Sequence, residues 1–228
     1  MVIAVALALL DFAPVFFLSL GLFFLAQLVD RLDPRCRRMA LAGFFMVMIG
    51  ALSRAISNLD LAISGETIPI LSALLFVFCG PGFTLMAAAL IRGRATALGR
   101  HAARDPWIVP TVISWLVLLG AFYLNASVEG DDAWKTALLG LALAGSASTS
   151  FAAASLGLRR QLHMAAGLFV LSLAGVLVVI ALRTLTTQNV WIQLLGELTN
   201  VAAQAAFAFA AWRVAAEYHA RVGPTAAK

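Results

Sequence analysis

Seven polar side chains stand inside stretches that are otherwise apolar, and their types and spacing suit a binding site. Glu197, Asn200 and Gln204 in "WIQLLGELTNVAAQAAFAFAAW" are three and four residues apart, so a helix stacks them on one face. Arg54 and Asn58 are one turn apart in a second apolar stretch, Asp11 interrupts a third, and Arg183 stands near the end of a fourth. Together these carboxylates, guanidiniums and amides can match the charges and hydrogen bonds of a small polar or zwitterionic solute or an ion. Carboxylates in such surroundings are also candidate proton carriers.

Other chemistries find less support. The histidines, His101, His163 and His219, lack metal-ligand spacing, and no metal and no cofactor is expected. Cys36 and Cys79 fall in a loop and inside an apolar segment, which predicts two free thiols. No nucleophile elbow, zinc-protease helix, phosphate loop or dinucleotide fingerprint occurs. Asp11 and Glu197 could still act as general acid and base on a lipid headgroup, although no motif specifies the bond to be broken.

The elements that must position these residues follow from composition. The 228 residues are 62% hydrophobic and 12% charged, with mean hydropathy +0.96, too apolar for a surface solvated by water. A bilayer core of about 30 Å needs roughly 20 apolar residues per helix. Seven such segments are predicted, at approximately 3–28, 39–62, 67–91, 107–125, 134–157, 163–185 and 190–214, in one all-α transmembrane domain. The first lacks a basic stretch before it and a small-residue cleavage site, so it is expected to be a mature helix and not a signal peptide.

Charge placement orients the bundle. Arg31, Arg35, Arg37 and Arg38 follow the first segment, Arg92, Arg94, Arg100 and Arg104 the third, Arg159 and Arg160 the fifth, and Arg213, Arg221 and Lys228 the seventh. Thirteen of the sixteen Lys and Arg therefore share one side, which predicts a periplasmic N-terminus and a cytoplasmic C-terminus in a bacterial inner membrane. The acids of "NASVEGDDAW" fall on the other side. The net charge of +5 is spread over loops without interleaved aromatics, so nucleic acid is not an expected partner, and "RGRATALGRHAAR" suits anionic lipid headgroups.

A faint internal repeat is visible. "MALAGFF" opens the second segment and "HMAAGLF" the sixth, and 49 residues separate Gly43 from Arg92 against 46 from Gly167 to Arg213. Three helices, a linking fourth and three parallel copies would give this pattern. That 3+1+3 plan with an outer N-terminus is similar in architecture to the SWEET sugar transporters and implies transport between two halves. The proline–glutamine loop motif is absent, and Cys79 and Gly80 fall where the seventh segment has Asn200. A retinal protein of the microbial rhodopsin type is excluded, because residues 190–214 contain no lysine.

Two further stretches bear on motion and packing. "CGPGF" predicts a kink at Pro81, either a packing kink or a hinge. The small residues of "GSASTSFAAAS" predict close helix approach at Gly145, Ser146, Ser150 and Ala154. By depth, Asp11, Arg54, Asn58, Arg183 and Glu197 all fall in the outer half of the membrane, and Asn200 and Gln204 continue inward. The expected function is solute or ion binding or transport in an outer-half cavity. The alternatives are an accessory or sensory subunit acting through a protein partner or a second copy, and an intramembrane lipid-modifying enzyme.

Overall fold

The computed structural model describes residues 2–66, 68–100, 105–127, 133–185 and 190–221. Eight helices build seven membrane-length segments, because the first segment is broken in two: α1 (Val2–Leu10) and α2 (Phe12–Leu32) meet at a turn on Asp11. Pro14 accounts for the break. It lacks the N–H that would bond the Leu10 carbonyl, and its ring crowds that carbonyl. The remaining helices are α3 (Arg37–Ser64), α4 (Pro69–Ala97), α5 (Ile108–Ser127), α6 (Ala133–Arg159), α7 (His163–Leu185) and α8 (Val190–Arg221). All seven segments are long and apolar enough to span a bilayer, making this a seven-helix membrane bundle with no strand among the described residues.

Local signals set the helix ends. Asp33 accepts a hydrogen bond from the Arg35 N–H at 3.1 Å and caps the short 3-10 turn Pro34–Cys36 that reverses the chain between α2 and α3. Gly65, at φ 77°, ends α3, and Pro69 opens α4 at a position where its missing N–H costs nothing. At the end of α6, Leu162 N–H bonds the Gly157 carbonyl and Gln161 N–H the Leu158 carbonyl, a Schellman pattern that holds Gln161 at φ 59°. Both α4 and α8 run past the predicted limits of 91 and 214, because arginines and polar residues are tolerated where a helix leaves the hydrocarbon.

Six of the spans close a ring in the order α2, α3, α4, α6, α7, α8, with α8 returning to α2; α5 lies outside, against α4 and α6. The order of neighbours is the same in each set of three, and the joins α4 to α6 and α8 to α2 correspond. The fourth span is the odd one out of the ring.

The two ends of the ring are built differently. Leu25, Leu28, Val29, Met39, Met86, Leu90, Leu156, Phe169 and Val214 are almost fully buried, and all belong to the half nearer the basic loops. Close approach there depends on small residues, as expected where lipid supplies no hydrophobic drive for helix association. A Cβ at Gly43 would stand 2.6 Å from the Gly82 carbonyl oxygen, and one at Gly145 2.8 Å from Phe83 Cβ. A Cβ at Gly21 would run into the Phe207 ring, which itself packs edge-on against Phe169. Two adjoining cavities lie in the opposite half, and a cleft of about 370 Å³ lined by Gln27, Asp30, Arg31, Arg37 and His219 lies at the basic end.

Candidate functional site

The half-bundle at the N-terminal end holds a partly open cavity of about 180 Å³. Three elements supply its polar lining: Asp11 from the break between α1 and α2, Arg54 and Asn58 from α3, and Asn200 and Gln204 from α8. Small and aliphatic residues, among them Pro14, Leu18, Ala51 and Ala55, complete the wall. The α3 face reads Ala51, Arg54, Ala55, Asn58, three to four residues apart, so small side chains leave space beside the polar ones.

One contact ties the site together. Asn58 Nδ2 donates to Asp11 Oδ2 at 2.6 Å, joining α3 to the α1–α2 break across 47 positions of sequence. Asp11 itself keeps helical backbone angles (φ −58°, ψ −22°), and its N–H bonds the Leu7 carbonyl at 3.2 Å, so the interruption leaves it near the helical register. Arg54 lines the same cavity one turn below Asn58, so a carboxylate and a guanidinium face a shared space with three amides. Such a set can pair with both ends of a zwitterion while the amides fix its orientation.

Five of the seven residues singled out by sequence thus come together. Glu197 does not belong to this lining: it sits about 4.5 Å further toward the start of α8 than Asn200, at about 1.5 Å per residue. Its Oε2 atom is nevertheless buried. The side chain of Arg183 lies outside the described residues, as do Arg104, Lys228 and the acidic loop residues Glu129, Asp131 and Asp132.

The lining also contains residues that sequence reasoning passed over. Pro14 was the visible signal for the break at Asp11, and the alanines at 51 and 55 were the signal for space beside Arg54 and Asn58. Neither has polarity, and polarity alone guided the search.

At Pro81, α4 continues as one helix from Pro69 to Ala97. Thr84 Oγ1 donates to the Gly80 carbonyl at 2.9 Å, and Gly80 and Gly82 face α6 and α3 at close quarters. This is the geometry of a packed crossing. In α6, Gly145 packs on α4, Thr149 Oγ1 bonds the Gly145 carbonyl at 2.8 Å, and Ser146 and Ser150 border a second cavity.

At the opposite end, Asp33 also accepts from Thr96 Oγ1 at 3.2 Å, Arg37 pairs with Asp30 at 3.7 Å, and the Arg160 guanidinium stacks over Tyr218 at 4.7 Å. Cys36 and Cys79 are both buried free thiols. Among the described residues, no three His, Cys, Asp or Glu side chains gather as metal ligands. The chain matches no protein-family model, no curated protein and no solved structure.

Proposed function

We propose that this membrane protein binds a small polar or zwitterionic solute at the Asp11–Arg54–Asn58–Asn200–Gln204 cavity and carries it toward the other side. One observation carries the proposal: five polar side chains from three elements line one cavity between helices apolar enough to span a bilayer. Polar groups at this depth are expensive and normally serve partners or pathways. Arg54 would hold an anionic group, Asp11 a cationic one, and the amides the remaining polar atoms. Glu197 and Arg183 would extend the site toward the N-terminal end, and any hinge at Pro81 would have to move α4 together with the α3 and α6 surfaces packed on Gly82 and Gly80.

The excess of arginine at the opposite end supports a periplasmic N-terminus, a cytoplasmic C-terminus and contact with anionic lipids in a bacterial inner membrane. A second reading, an accessory or sensory subunit, draws on α5. That helix stands outside the ring and exposes Trp115, Leu116, Phe122 and Tyr123, a face that a protein partner could cover in place of lipid.

The test is thermal stability of wild type, Asp11→Asn, Arg54→Gln and Gln204→Leu against a panel of zwitterionic, cationic, anionic and neutral polar solutes. A true ligand at about 100 times its Kd stabilises wild type by ~2.7 kcal/mol. That gain is expected to vanish in the variants. A panel that shifts nothing, with variants that are only less stable, would contradict solute binding and move the accessory reading forward.

A further inference from the structure

The polar cavity does not end at Gln204. A second cavity, of about 200 Å³, lies toward the middle of the bundle, and Leu18, Ala51, Leu75 and Gln204 line both. Its other walls are mainly apolar, with Phe76, Phe83 and Leu139 on one side and Leu173, Val176 and Phe207 on the other. A dry apolar cavity of about 150 Å³ is enough to take up benzene, so this one has room for a short hydrocarbon body.

Continuity with the polar cavity, through four shared wall residues, speaks against an isolated packing flaw, since voids of this size destabilise an interior. Ser150 of α6 and Ser172 of α7, each only 4% exposed, line the same cavity. Buried hydroxyls ordinarily find a partner, and a ligand oxygen placed between α6 and α7 would be one.

We infer that the ligand is a single-chain amphiphile: a zwitterionic headgroup in the Asp11–Arg54–Asn58 cavity and an apolar body in the adjoining chamber, hydrogen-bonded at Ser150 and Ser172. The inference rests on the solute-binding proposal and narrows it to a substrate class. Gln204, which faces both cavities, marks the boundary between head and body. The shared chemistry belongs equally to a lyso-type membrane lipid and to a soluble alkyl zwitterion, and only a preference for long chains delivered in vesicles would separate the two.

The experiment is titration calorimetry on the full chain in amphipol, with glycine betaine as the head alone and N-alkyl betaines bearing tails of roughly four to eight carbons. Each methylene that leaves water for the chamber should tighten binding about fourfold until the chamber is full. Ser146→Leu and Ala142→Leu both project volume into the chamber, and either one, once folded, should flatten this tail dependence while retaining head binding. Equal affinity for the head alone and the tailed series would overturn the amphiphile and leave solute binding intact. Tail dependence that survives both filling variants would also overturn it. No binding of any member would remove both proposals for zwitterions.

Discussion

Asn58 and Asp11 are the residue pair on which the site turns, since their bond is the polar link between α3 and the break in the first segment. Asn58→Leu removes the donor and leaves the carboxylate to find another, which should lower stability by about 1–3 kcal/mol. Asp11→Asn alone should cost less, because an amide oxygen still accepts. The double variant should fall short of the sum by ~0.5–3 kcal/mol, the coupling expected of groups in direct contact. Additive losses in a denaturation series would mean that the pair does not interact. At this scale the sequence was informative because charge and amide groups stand out against Leu, Ala and Phe. It was less so for Glu197, whose helical face agrees with Gln204 but whose depth puts it outside the cavity lining. Depth relative to a neighbouring helix is a tertiary property, and spacing within one helix does not contain it.

Among the elements, the first segment and the α3–α4 pair carry the most consequence. Pro14→Ala restores the N–H that bonds the Leu10 carbonyl, so α1 and α2 should join into one uninterrupted helix with no loss of stability in a denaturation series, and Asp11, already helical, should keep its bond to Asn58. Gly43→Ala places a methyl group against the Gly82 carbonyl and should cost ~1–3 kcal/mol through separation of α3 from α4. By contrast, Gln161→Gly relieves a left-handed side-chain residue in the α6–α7 turn and should raise stability by about 1 kcal/mol, leaving ligand response unchanged. Segment number and type were legible from hydropathy alone. The break at Asp11 was not, because one proline in thirty apolar residues barely alters a hydropathy average. The glycines around Pro81 suggested loosening, but their observed neighbours in α3 and α6 show close packing on both sides.

For the whole molecule, the organising feature is a ring of six helices with α5 outside, holding a buried apolar cluster toward the basic loops and two adjoining cavities toward the N-terminal end. Spacing within single segments could indicate depth, but the order of helices around the ring came only from their contacts. The arginine distribution predicts that reporters fused after residue 228 are active in the cytoplasm and that those fused before residue 1 are active outside; the reverse pattern would invert every statement about sidedness. The central claim, that the polar residues line a solute-reachable site at the N-terminal end, can be measured by cysteine labelling. Asn200→Cys in a Cys36→Ser, Cys79→Ala background is exposed in intact cells and in inverted membranes to a membrane-impermeant charged thiol reagent. Labelling from the N-terminal side, slowed by any compound that stabilises wild type, is the expected result. Labelling from the opposite side alone, or from neither, would contradict the claim.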